Sequence, residues 1–288
     1  MSEFIHYIEA ASSISDNIFN PAVEGRIRKV SMAALDYVCK LNKGCKLNFE
    51  QKKIVGIILT LGKHINDYYD VGSLDSSKYK DLRKEFKRLI PEKNSDFKRY
   101  QKELSRVEKQ RPLPSHLLGD EEVRFNHIRS YRERVNKLYL SFAFAIALDK
   151  PMASYYEDYN SQSEKDIQIF EGFFNSVMAM QVVDDIVGRE GDLINDRPSF
   201  YTAFCTVDEI QNKTVINDKK TFQNLNVLFS HYYDNANSYS LPELKPILSA
   251  VKFTKNIYPK ITQLARKYKF LGNIPCIDIL TERDRNNL

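Results

Sequence analysis

Cysteine is scarce in this chain: Cys39, Cys45, Cys205 and Cys276 stand far apart, with no Cys-x-x-Cys pair and no histidine at matching spacing. Neither a disulfide framework nor a zinc site is indicated, and a reducing, cytoplasmic setting is the expectation. Apolar runs are short as well. The longest, Leu138–Leu148, is about half of the roughly 20 residues needed to span a bilayer, so no transmembrane segment is expected. Glu3, Glu9 and Asp16 interrupt the stretch where a secretory signal would need its apolar core. Net charge is small, +5, too little over this length to imply nucleic-acid binding. That charge is unevenly placed. Between Lys78 and Arg111 thirteen basic residues face six acidic ones, a local +7 against +5 for the whole chain, which leaves the remainder near −2.

Glycine and proline number only ten each in 288 residues, and apolar positions recur at three and four rather than two, so the chain reads as nearly all helix. Helix starts are marked by a short polar acceptor followed three residues later by Glu or Gln: Asn48/Gln51, Ser161/Glu164, Thr206/Glu209 and Ser240/Glu243. Gly44, Pro91, Pro151 and Gly272 mark stops. The pattern predicts helices near 2–18, 24–42, 49–72, 78–90, 95–110, 120–149, 162–195, 218–238 and 243–270. The Pro-rich break Arg111–His116 is too short for a flexible tether, so residues 1–288 read as one all-α domain.

Two of these helices turn abruptly acidic. The first runs through Ile54, Ile57, Ile58, Leu61 and Ile65 and ends in Asn66-Asp67-Tyr68-Tyr69-Asp70. Asn66 and Asp70 share a face, with Asp67 about 100° round. The second runs through Phe173, Phe174, Val177 and Met178 and continues Gln181-Val-Val-Asp184-Asp185-Ile-Val-Gly188-Arg-Glu-Gly-Asp192. Here Asp184, Gly188 and Asp192 form one stripe, two carboxylates around a residue without a side chain. Crowded carboxylates in apolar surroundings call for a cation, and an all-oxygen donor set suits Mg²⁺ shared with a phosphorylated ligand. Either patch alone is equally well a solvated helix end; two of them, both after apolar stretches, favour the metal.

These residues resemble a family. Asn66-Asp-Tyr-Tyr-Asp70 is similar to the DDxxD motif of class I isoprenoid synthases, with Asn for the first Asp. Gln181 to Asp192 resembles their second metal motif, with Gly188 in place of an Asp or a hydroxyl residue. Asn195-Asp-Arg-Pro-Ser199 looks like the stretch that follows it in prenyltransferase-like members. Glu24-Gly-Arg-Ile-Arg28 resembles the segment that holds a second diphosphate in chain-elongating enzymes, without its Lys and with Lys29 for Pro. Arg266-Lys-Tyr268 resembles a diphosphate-contacting Arg-Tyr pair with one residue inserted.

The resemblance implies a helical bundle around a deep apolar central cavity, with prenyl diphosphate as substrate and three Mg²⁺ ions when substrate is bound. Asn66, Asp67, Asp70, Asp184, Asp185 and Asp192 would be the metal ligands, with Asp67, Asp70, Asp184 and Asp192 essential to turnover. Arg26, Arg28, Arg134, Arg197, Arg266 and Tyr268 would contact diphosphate, and Arg132 is an alternative to Arg134 as the diphosphate sensor. Phe142, Phe173, Phe174, Val177 and Gln181 would line the cavity, although an aromatic stripe at helical spacing is also ordinary core. The implied reaction is that of a terpene cyclase, which ionises an allylic prenyl diphosphate and releases pyrophosphate. A prenyltransferase that joins the allylic unit to isopentenyl diphosphate or another acceptor is the alternative, favoured by Arg26, Arg28 and Arg197.

A non-catalytic helical scaffold is a further reading, because Asn66 and Gly188 each remove an expected carboxylate. A di-iron bundle needs two Glu-x-x-His motifs, and only Glu3-x-x-His6 fits. His64 reads as a satisfied polar group. The basic segment 78–111 shows no single clean cationic face, and a pair of solvated surface helices, contact with anionic lipid and a cover over the active site all fit it. A homodimer is compatible with all of this.

Overall fold

The computed structural model describes residues 32, 35–37, 39–40, 45–72, 76–157, 162–216, 218–241 and 244–267, the last ten of these and Val71 through their backbone alone. Helix dominates, and no strand occurs among the described residues. The helices expected at 2–18 and over most of 24–42 lie outside the described residues, as do Arg26, Arg28, Tyr268, the side chain of Arg266, and Gly44, Ser161, Glu243 and Gly272.

The chain divides into two compact units, residues 1–110 with 134–171, and residues 111–133 with 172–288. In the first unit, α1 (Phe49–Val71) starts on the expected capping box, Asn48 with Gln51, and stops at Gly72, whose φ of +69° suits glycine. Its inner face buries Ile54, Val55, Ile58, Leu61 and Ile65. Gly62 allows a close approach: a Cβ there would stand 2.1 Å from Tyr139 Cε1. Next come α2 (Ser76–Leu89), a 3₁₀ turn at Pro91–Lys93, and α3 (Asn94–Lys109). Both helices pack on α1, and Phe86 of α2 stacks on Phe97 of α3 at 4.0 Å. The first unit also takes residues 134–148 of α4 (Glu121–Leu148). This helix ends where Asp149 turns left-handed at φ +54°, Lys150 N–H donates back to Ala145 O at 2.8 Å, and Pro151 forbids continuation. The one-turn α5 (Ala153–Tyr156) follows, and Tyr155 joins Phe144 and Phe170 in a second aromatic cluster.

Five further helices belong wholly to the second unit: α7 (Arg189–Ile194), α8 (Phe200–Phe204), α9 (Val207–Asn212), α10 (Lys219–Ser238) and α11 (Lys245–Lys267). It also contains residues 172–187 of α6 (Glu164–Val187). The helix expected over 162–195 is therefore two, α6 and α7, separated at Gly188 with φ −81° and ψ 1°. Two hydrogen bonds of helical spacing meet at Gly188 itself, its N–H donating to Asp184 O at 2.8 Å and its O accepting from Asp192 N–H at 3.0 Å. The break is thus a local distortion rather than a turn. Helix α8 was not expected, and α9 was marked only by its start signal, Thr206 with Glu209. Each is barely longer than a turn, too short to show an amphipathic period, and each starts on a capping box, Ser199 with Thr202 and Thr206 with Glu209.

Among the described residues, no helix is long and apolar enough to cross a membrane.

Candidate functional site

The two acidic patches fall in different units. In the first unit, Asn66, Asp67 and Asp70 sit half-buried at the C-terminal end of α1. A helix C-terminus disfavours carboxylates, so this end gains from a nearby cation. One is built in: Lys63 forms an ion pair with Asp67 four residues on. Asn66 is turned the other way and donates through Nδ2 to Glu108 Oε1 at 3.4 Å. Glu108 was missed from sequence. It is fully buried on the apolar face of α3 beside Leu104 and Val107, and that placement of an acid on a buried stripe was the available signal. Arg134 also lies in this unit, 3.8 Å from Glu103, which Arg106 binds at 2.7 Å. Phe142 is fully buried and stacks on Tyr100 at 4.8 Å, with Phe97 and Phe86 beyond. Its neighbours are those of a packed aromatic core.

In the second unit three carboxylates lie around the Gly188 break. Asp184, Asp185 and Asp192 are all buried, and the charges of Asp192 and Asp184 both act on Asp185. Asp185 is held on three sides. Its Oδ1 accepts from Gln181 Nε2 at 2.7 Å and from Arg132 Nη2 at 3.3 Å, and its Oδ2 accepts from Phe200 N–H at 2.7 Å. Burial first, and then the two neighbouring carboxylates, push its carboxyl up to about 6, while Arg132 and the Phe200 N–H pull the other way. Arg197 follows directly: its N–H donates to Asp192 O at 2.8 Å. It is set by Asp196, a left-handed residue at φ +50° whose carboxylate accepts from Ser115 N–H at 2.9 Å and Oγ at 2.5 Å. Along α6, Phe173, Val177, Gln181 and Asp184 share one face. Phe173 and Phe174 are buried, whereas Val177 and Gln181 are half-buried.

The donor chemistry of this second patch fits Mg²⁺. Burial is the main cause of the raised Asp185, and the added repulsion from Asp192 and Asp184 is the part that a divalent cation would relieve; Gly188 adds no side chain to the sequence between Asp184 and Asp192. Among the described residues no set of three or more His, Cys, Asp or Glu side chains is arranged to cage a metal. Mg²⁺ does not require a cage: one or two carboxylates suffice when waters and phosphate oxygens complete the shell. Asp184 and Asp192 are the ligands this geometry offers, with Asp185 engaged by its three donors.

The raised Asp185 has a measurable consequence. Below pH about 4 the group is protonated folded and unfolded; between about 4 and 6 the unfolded chain loses the proton while the native one keeps it, so stability falls as pH rises. In the presence of a chelator, Asp185→Asn is expected to remove this component, on the order of 2–3 kcal/mol between pH 4 and 6. Urea unfolding of both proteins across that range checks it, and parallel curves would contradict it.

No family model, no curated protein and no solved structure matches this chain.

Proposed function

We propose that the protein is a Mg²⁺-dependent class I isoprenoid synthase that ionises an allylic prenyl diphosphate. The observation that carries this reading is the buried trio Asp184, Asp185 and Asp192 at the Gly188 break, with Arg132 and Arg197 beside it. Bound Mg²⁺ would neutralise the diphosphate and make it a better leaving group. Asp184 and Asp192 would hold the metal, and Asp185 would keep the helix ends in register through Phe200 N–H, Gln181 and Arg132. Arg197 would donate a planar pair of N–H groups to phosphate oxygens. The face of α6 carrying Phe173, Val177 and Gln181 would receive the hydrocarbon tail, exclude water and place aromatic faces near the developing cation. In the first unit, Asn66, Asp67 and Asp70 would form a separate oxygen-rich patch, where metal binding requires Lys63 to yield Asp67. A cytoplasmic location belongs to the same reading, in keeping with the free thiols of Cys39, Cys45 and Cys205.

The test is incubation with geranyl, farnesyl and geranylgeranyl diphosphates, with and without Mg²⁺ and isopentenyl diphosphate, followed by mass analysis of products. Mg²⁺-dependent pyrophosphate release with a hydrocarbon or alcohol from a single substrate is the expected result. Turnover only with a second substrate would make the protein a prenyltransferase. Absence of both Mg²⁺ and diphosphate binding would leave a helical scaffold and overturn the proposal.

A further inference from the structure

We propose that the outer faces of α2 and α3 form a polybasic surface that docks the protein on an anionic lipid bilayer. The inference begins with helical phase. Segment 78–111 was expected to show no clean cationic face; the 3₁₀ turn at Pro91–Lys93 ends α2 and restarts the period in α3, and the exposed cations of each helix then fall on one side. Each helix then resolves into two faces. In α2 the buried Phe86 and half-buried Tyr79 and Leu82 mark the inner side, and Lys80, Arg83, Lys84, Lys87 and Arg88 lie exposed on the other, spaced i, i+3, i+4, i+7 and i+8. In α3 the buried Phe97, Tyr100, Leu104 and Val107 face inward, and Lys98, Arg99, Lys102, Arg106 and Lys109 are exposed opposite them.

Few carboxylates offset these ten cations. Arg99 is paired with Glu157 and Arg106 with Glu103, while Asp81 stands 3.8 Å from Lys84. Exposed ion pairs of this kind are weak and exchange readily for another anion. Seven of the ten, Lys80, Arg83, Lys87, Arg88, Lys98, Lys102 and Lys109, make no ion pair among the described residues, and Arg83 lies over the Tyr79 ring. Because the rest of the chain is close to neutral, positive charge concentrates on these two consecutive helices and would orient the protein on a charged plane.

Two features favour lipid over nucleic acid. None of the exposed residues of α2 or α3 is aromatic, so bases would find no stacking platform. Nor do these helices expose an apolar anchor, so attachment would be electrostatic, shallow and reversible. The surface stands independently of the chemistry proposed above.

Sedimentation of the full chain with vesicles tests it. Binding is expected to phosphatidylcholine vesicles containing about 30% phosphatidylserine at about 0.1 M salt, and to vanish with pure phosphatidylcholine or at about 0.5 M salt. Each cation near such a surface is worth about fivefold in partitioning. Combining Lys80→Gln, Lys84→Gln, Lys87→Gln and Arg88→Gln should therefore weaken binding by roughly several hundredfold, with circular dichroism unchanged because all four side chains are exposed. Equal binding to charged and neutral vesicles, wild-type binding by the variant, or retention of duplex DNA without any vesicle binding would each overturn the proposal.

Discussion

Asp192→Asn is expected to lower turnover of an allylic diphosphate on the order of a thousandfold at saturating Mg²⁺. The substitution keeps the volume of a side chain that is 1% exposed and removes only its charge, so the thermal midpoint should stay close to that of the wild type. What is lost is an anionic oxygen ligand at the point where leaving-group charge would be neutralised. Asp184→Asn, on the same face one turn before Gly188, should behave alike. Asp185→Asn should differ, because Asp185 is tied to Phe200 N–H, Gln181 and Arg132: the loss should appear chiefly as a higher Mg²⁺ requirement rather than as abolished turnover. Steady-state kinetics against Mg²⁺ concentration separate the cases. Wild-type turnover in either the Asp184 or the Asp192 variant would remove the metal role assigned to this cluster.

The largest expected effect on stability comes from Arg124, which the sequence reading passed over. Its side chain is 2% exposed and meets backbone carbonyls: Ala203 O at 3.1 Å, Cys205 O at 2.5 Å and Leu117 O at 3.2 Å. Two of these close the C-terminal end of the short α8, whose first N–H, that of Phe200, holds Asp185. Burial draws the Arg124 guanidinium down from its ordinary range, partly offset by Glu121 and other neighbours; it stays charged and serves as a fork for three acceptors. Arg124→Met leaves those carbonyls buried without donors and should cost roughly 3–5 kcal/mol. Arg124→Lys should restore only part, since an ammonium cannot span acceptors on both sides as a planar fork does. Urea denaturation measures both, and a loss below about 1 kcal/mol for Arg124→Met would show that water replaces the guanidinium.

Much of the helical framework was legible in local pattern. Expected bounds of 49–72, 78–90, 95–110 and 120–149 became 49–71, 76–89, 94–109 and 121–148, because apolar period, capping boxes and proline act within a few residues of where they stand. The proximity of Asp184, Asp185 and Asp192 was legible for the same reason, since spacing alone fixes which side chains share a helix face. The break at Gly188 was not, because glycine is tolerated in a helix and nothing adjacent announces distortion.

Partner choice lay further out of reach. Arg132 on Asp185, Glu108 beside Asn66 and Arg124 on Ala203 join residues 53, 42 and 79 positions apart. No periodicity encodes which distant donor arrives at a buried acceptor. That depends on how helices close against one another, and the cost of leaving a buried polar group unsatisfied then selects the arrangement in which it is met. The amino-acid order thus set helices, their apolar faces and the local charge. Packing alone chose which of those charges would be buried and paired, and which would remain exposed to solvent.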